Sequence, residues 1–244
     1  MKNVCLILEY LGTNYCGFQK QKNGLSIQEV LEKALEKLTG KKITVYPSGR
    51  TDAGVHALGQ VCNFFDDSQI PAEKFVILLN QNLPFDIRVK ESFEVDANFH
   101  SRKSAKSKTY IYKLFLGENF SVFDAHRVLP IKYNLDIEKM NECCRELIGK
   151  HDFSSFCCKH TSTKTTIRTI FDAKFVKEND YLTFEVTGNG FLYNMVRILV
   201  GTLIEVGRGK LSKEDFVSLL NTNNRAKAGK TVKPDGLYLK QVKY

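Results

Sequence analysis

Residues 26–40 read SIQEVLEKALEKLTG. Ser26 with Glu29 three positions on is a capping box, in which each side chain satisfies the other residue's backbone N–H at a helix start. Ile27, Val30, Leu31, Ala34, Leu35 and Leu38 then recur at helical spacing. Gly40 supplies the residue that most readily turns left-handed and ends a helix. Upstream, NVCLILEY (3–10) reads as an apolar strand, and Leu11 to Gly24 as a loop holding Gly12 and Gly17. Downstream, strands are expected at 43–48 and 58–65, a helix from Pro71 through about Asn82, and a strand at 86–95. The order β-α-β-β-α-β is the ferredoxin-like pattern.

The second half repeats that order without repeating the residues. KTYIYKLFL (108–116) reads as a strand and DIEKMNECCRELIG (136–149) as a helix. Strands follow at 166–176 and 180–188, a long helix at 190–207, a short helix after Ser212 and a closing strand at 236–242. The fold class expected is α+β. Two ferredoxin-like halves, residues 1–100 and 101–244, would join a mixed, mainly antiparallel sheet with helices on one face and a central cleft.

Of the 244 residues, 43% are hydrophobic, enough for a real core and against disorder. No apolar run reaches the ~18 residues of a membrane span. Met1-Lys2-Asn3 leads straight into a strand without the features of a secretory signal, so a soluble cytoplasmic protein is expected. The seven cysteines include two adjacent pairs, a poor disulfide framework, and buried reduced thiols are the simpler reading. Cys157, Cys158 and His160, with His151 nearby, come closest to zinc spacing, but no second ligand pair follows. No metal is therefore expected.

Charge is more telling. Thirty-six Lys and Arg against 27 Asp and Glu leave +9. HSRKSAKSKTYIYK (100–113) carries Arg102, Lys103, Lys106, Lys108 and Lys113 with no acid, and residues 222–244 set six basic residues against Asp235 alone. Two such blocks favour a polyanionic partner such as RNA or DNA.

YPSGRTDAGVHALGQ (46–60) places one carboxylate, Asp52, between Arg50 and Gly54. Asp and Gly are common turn residues for local reasons. Yet glycines at 49 and 54 bracket a charged segment, as a loop presenting side chains to a ligand would. A nucleophilic carboxylate that is desolvated and still ionised needs a cation nearby. Arg197 lies in an apolar helix stretch and needs an anion in turn, for which Asp52 and Glu185 are the candidates. Tyr110 and Tyr112 share a strand face with Leu114 and Leu116, either as core or as a base-stacking platform beside the lysines. His56 has no paired Ser or Cys and reads as structural or RNA-facing.

GRTDAGVHALGQV resembles the signature of the tRNA pseudouridine synthase A family. GTNYCGFQKQ (12–21), SIQEVLEKAL, NLPFDIRV, FHSRKSAKSKTYIYK, HDFSSF, GNGFLYNMVRILVGTLIEVG and GLYLKQVKY follow in family order, so the likeness spans nearly the whole chain. It implies a pseudouridine synthase fold and the isomerisation of uridine to pseudouridine in the tRNA anticodon stem-loop, at positions 38, 39 and 40. It also implies Asp52 as the catalytic aspartate, Tyr110 as the active-site tyrosine and Arg197 as the partner of the aspartate. Arg50 would help expel or replace the target base, with Arg102, Lys103, Lys106 and Lys108 binding substrate. No cofactor, no metal and a homodimer holding tRNA across both subunits are implied as well. Leu11 stands where the family usually has an acid, and Phe18 where it often has tryptophan. Four other readings differ in what they require: the same chemistry at other tRNA positions, a non-catalytic RNA-binding module for which Asp52 is immaterial, a metal-dependent nucleic-acid hydrolase, and a structural role for the duplicated sheet. The hydrolase would need several clustered carboxylates where this loop offers one, and the structural role leaves the charge clustering unexplained.

Overall fold

The first strand, β1 (Lys2–Tyr10), runs through the middle of a sheet, and its apolar residues Val4, Leu6 and Leu8 are completely enclosed. The computed structural model describes residues 1–22, 24–158 and 165–244. Two compact units emerge: Met1–Lys106 together with Tyr238–Tyr244, and Ser107–Leu237. After β1 come α1 (Ile27–Thr39), β2 (Tyr46–Pro47), β3 (His56–Asp66), α2 (Phe75–Asn80) and β4 (Ile87–Val95). Next are β5 (Ser107–Phe115), β6 (Leu129–Pro130), α3 (Ile137–Glu146), β7 (Gly149–Asp152), β8 (Ile167–Glu178) and β9 (Tyr181–Gly188). The chain continues with α4 (Met195–Gly207), α5 (Lys213–Asn221) and β10 (Leu237–Lys243). The class is α+β with mostly antiparallel pairing, as expected.

In the first unit the strand order is β4-β1-β3-β10, with β2 on β3. β1 pairs antiparallel with β3 and β4, whereas β10 runs parallel to β3, Tyr238 opposite His56 and Leu239 opposite Ala57. Helix α1 begins at Ser26, which accepts from the Glu29 N–H, while the Glu29 carboxylate pairs with Lys33 in place of the other half of the expected box, and Gly40 closes the helix at φ 71°. It buries Ile27, Leu31, Ala34 and Leu35. Phe64 of β3 meets Phe75 of α2 edge-on at 5.2 Å. Each fully buried aliphatic or phenyl side chain of this kind contributes about 1.5–3 kcal/mol.

In the second unit β5, β9, β8 and β7 pair antiparallel in that order, and β6 runs beside β5. Helix α3 packs on β8 and touches α4 and α5. The core includes Tyr112, Leu114, Phe153, Phe156, Phe184 and Phe216.

Several boundaries differ from the sequence reading. The strand expected at 43–48 shrinks to Tyr46–Pro47. The helix expected from Pro71 is a 3-10 turn, Ala72–Lys74, followed by the short α2. The helix expected from 190 starts at Met195, because Asn194 is left-handed at φ 61° and breaks the helical path there. β7, only four residues long, carries no alternation strong enough to announce it. The closing strand, assigned from sequence to the second half, lies with the first unit, where Lys106 N–H donates to the Lys243 carbonyl and Tyr244 Oη donates to the Ser101 carbonyl. Among the described residues no helix is long and apolar enough to cross a membrane. The cysteines are free thiols, with Cys5, Cys62, Cys143, Cys144 and Cys157 buried.

Candidate active site

Residues 46–55 lead off the sheet into the turn that bears Asp52. Ser48 N–H still donates to the Val61 carbonyl at 2.7 Å, and the Ser48 hydroxyl donates to Gln60 Oε1 at 2.6 Å. Gln60 Nε2 then donates to the Gly49 carbonyl at 3.0 Å, so a buried amide of β3 clamps the chain just after it leaves β2. Val55 N–H donates to the Asp52 carbonyl at 3.1 Å and closes the turn. Gly54 takes φ 78°, the left-handed value a glycine adopts without strain. Arg50 and Ala53 are exposed, Asp52 is half-buried and Thr51 is buried. Arg50 thus reaches outward while the backbone of the turn is anchored.

The anchoring comes from the loop that follows β1. Phe18 N–H donates to the Thr51 carbonyl at 3.1 Å and Gly54 N–H to the Tyr15 carbonyl at 3.2 Å. A Cβ on Gly12 would lie 2.0 Å from the Val55 carbonyl oxygen, and one on Gly17, at φ 106°, would lie 2.6 Å from that of Thr51. Only glycine permits the two backbones to approach this closely. Tyr10 Oη and Thr51 Oγ1 share a hydrogen bond of 2.8 Å in the core. Burial raises the pKa of the Tyr10 phenol well above its ordinary value, against the opposing hydrogen bonds from Thr51 and Gln60, so it stays protonated. His56 is fully buried, accepts the Gly12 N–H at Nδ1 over 3.0 Å and lies against the Tyr238 ring at 4.7 Å. It is a structural residue, one of the two roles its sequence context offered. The sequence reading missed Tyr10, Gly12, Gly17 and Thr51 as supports. The one available signal was the glycine spacing of 11–24.

In the second unit the two tyrosines of β5 have different fates. Tyr112 is enclosed, and its hydroxyl donates to the Lys233 carbonyl at 2.6 Å. Burial raises its pKa above the ordinary phenol value, with the Arg197 charge pulling the other way. Tyr110, opposite Val186, keeps a slight exposure of 8% and meets Phe191 edge-on at 5.0 Å. Of the two rings, Tyr110 is the less enclosed. Leu116, placed on the same strand from sequence, lies just past the end of β5.

Arg197 is half-buried on the first turn of α4, less enclosed than its apolar sequence neighbours suggest. Its Nε donates to the Val232 carbonyl at 2.7 Å and a terminal nitrogen donates to Asn194 Oδ1 at 2.8 Å. Two of the five donors of a planar guanidinium are thereby fixed, which holds the charge in one orientation. The left-handed backbone of Asn194 turns its side chain to this task, and its amide also donates to Cys158 Sγ at 3.3 Å.

Arg50, Asp52, Arg102, Lys103 and Lys106 belong to the first unit, and Lys108, Tyr110 and Arg197 to the second. Arg102, Lys103 and Lys106 are exposed and Lys108 is half-buried. No group of three His, Cys, Asp or Glu side chains capable of holding a metal ion occurs among the described residues. His160 lies outside them.

The family pattern described as tRNA pseudouridine synthase matches residues 6–102 and 143–244. The chain is 48% identical to the tRNA pseudouridine synthase A of Clostridium kluyveri, 46% to that of Acetivibrio thermocellus and 45% to that of Caldicellulosiruptor saccharolyticus. Each alignment runs over 244 residues, the full length of both chains.

Proposed function

The chain belongs to the tRNA pseudouridine synthase family, and on that footing we propose that Asp52, Tyr110 and Arg197 are its catalytic residues and the anticodon stem-loop its substrate. The protein is an isomerase with the pseudouridine synthase fold. The reaction breaks the N1–C1′ bond of a uridine, turns the base and joins C5 to C1′, and the proton lost from C5 is balanced by one gained at N1. Nothing is oxidised and no group is added, so the chemistry calls for neither cofactor nor metal.

The mounting of Asp52 supports this reading most directly. A half-buried carboxylate stands on a turn whose backbone is tied to β3 and to the 12–18 loop. Catalysis requires a group held in one place before the substrate arrives. Asp52 acts on the nucleotide, by addition to the base or at the ribose. Tyr110 stacks on the uracil and assists removal of the C5 proton. Arg197 supplies the cation that keeps the carboxylate ionised, the role implied by the resemblance. Arg50, exposed on the same turn, takes the place of the displaced base, offsetting the few kcal/mol that unstacking costs. Arg102, Lys103, Lys106 and Lys108 bind the phosphate backbone. Uridines 38, 39 and 40 are the target positions, and the working form is a homodimer.

Tritium release from tRNA carrying 5-tritiated uridine tests the assignment. Asp52→Asn abolishes release while tRNA affinity stays within about twofold. Full release by Asp52→Asn overturns it. Mapping pseudouridine in the product tRNA tests the positions, and sedimentation tests the dimer.

A further inference from the structure

The first unit carries a groove of about 360 Å³. Tyr46, Phe65, Asn98, His100 and Lys103 line it. Tyr46 and Phe65, on the paired strands β2 and β3, present 39% and 37% of their surface to solvent. The His100 ring stands 5.6 Å from that of Tyr46, tilted by 54°. Lys103 closes the set with a positive charge.

The segment forming the far wall, 96–104, is fixed by buried amides. Asn3 Nδ2 donates to the carbonyls of Asp96 and Phe99, each at 2.9 Å, and its Oδ1 accepts from Asn63 Nδ2 at 2.9 Å. Asn63 Oδ1 accepts the Ser101 N–H at 3.0 Å, and the Ser101 hydroxyl donates to the Tyr46 carbonyl. Arg102 N–H donates to His100 Nδ1 at 3.2 Å, which sets the orientation of that ring. Aromatic faces, a cation and a preordered wall are the requirements for seating an unpaired base with its phosphate. The acid-free basic run from Arg102 to Lys108 selects for a polyanion. Tyr46 is six residues from Asp52, a span of at most about 21 Å of extended chain.

We propose that this groove is a second nucleotide subsite, in which an unpaired base of the tRNA stacks on Tyr46, with the tilted His100 ring at its edge, while its phosphate meets Lys103. The subsite rests on the reading of the protein as a tRNA-modifying enzyme and adds to it a specificity element away from the reacting uridine. It predicts that the protein grips tRNA by one extruded or loop nucleotide besides its target.

Binding of an unmodified tRNA transcript in the Asp52→Asn background tests the subsite independently of turnover. Tyr46→Ala weakens binding on the order of tenfold or more, and Tyr46→Phe restores wild-type affinity because the ring and not the hydroxyl is used. Lys103→Ala lowers the slope of log affinity against log salt by about 0.7–1, while Tyr46→Ala leaves the slope unchanged. Equal affinity of Tyr46→Ala and its parent, or failure of Tyr46→Phe to restore it in a folded protein, overturns the subsite. So does a change of oligomeric state in Tyr46→Ala, which would make the groove a contact between copies. Absence of tritium release by the wild-type protein would instead strike the catalytic reading and leave these affinities as measured.

Discussion

Gly12 N–H donates to His56 Nδ1 at 3.0 Å. The bond requires an unprotonated Nδ1, and it joins the two ends of the framework around Asp52: the loop after β1 and the first residue of β3. His56 therefore works by holding the framework together. His56→Phe keeps the ring volume and loses the acceptor, leaving the Gly12 N–H without it. It lowers stability by about 1–3 kcal/mol, read from urea unfolding.

The close approach of Gly12 to Val55 makes a sharper forecast. Gly12→Ala places a methyl group 2.0 Å from a backbone carbonyl oxygen, which no rotamer change relieves. The turn must shift. Tritium release falls at least tenfold, and stability falls by about 1–3 kcal/mol. Wild-type turnover by Gly12→Ala would refute the view that this loop positions Asp52.

The two tyrosines of β5 separate packing from chemistry. Tyr112→Phe removes the hydroxyl that donates to Lys233 and costs about 1–2 kcal/mol of stability with turnover retained. Tyr110→Ala impairs turnover more than stability. Paired measurements of unfolding and tritium release check both.

Arg197→Lys keeps the charge and loses the planar fork that reaches Val232 and Asn194 together. Stability drops by about 1–2 kcal/mol and tritium release by at least tenfold. Unaltered release would remove Arg197 from the mechanism.

The buried thiols fix a pH limit. Burial pushes Cys5 from 9.0 up to about 12 and Cys143 from 9.0 up to about 11. The folded state thus holds protons that the unfolded chain releases above about pH 9. Stability is unaffected by these thiols below pH 9 and declines as pH rises from 9 toward 11–12, by up to about 1.4 kcal/mol per pH unit for each such group. Urea unfolding at pH 8 and pH 10 shows the fall, and Cys5→Ala reduces it. At pH 8 a thiol reagent labels Cys16 and Cys158, which are half-buried, ahead of the five buried thiols.

The sequence disclosed α1 nearly to the residue, because its cap, its apolar period and its terminal glycine all depend on neighbours within four positions. β5, β8 and β9 were legible for the same reason: alternation is local. Of the short pieces, β2 was expected but at three times its length, and β6 and β7 were not seen, since two to four residues carry no period. The late start of α4 depended on one Asn in a left-handed conformation, whose side chain bonds Arg197 and Cys158. At the site, the turn and its carboxylate stood out as a motif. Tyr10 and Thr51 did not, because their bond joins positions 41 residues apart, and apolar context made Tyr10 look like ordinary core. The groove at Tyr46 was equally hidden, for its two walls are brought together by Asn3 and Asn63, amides that look unremarkable in a strand.

The last strand sits beside β3, and β3 opens at the histidine that steadies the turn of Asp52. Ribosomes make a chain from its N-terminus, and a domain whose parts are complete folds as it emerges. Here residues 1–106 must wait for residues 238–244, with the whole of the other unit synthesised in between. The sheet flanking Asp52 is finished only after residues 107–237 have been made, so a nascent chain halted in the second unit carries the aspartate on a scaffold whose edge is still open.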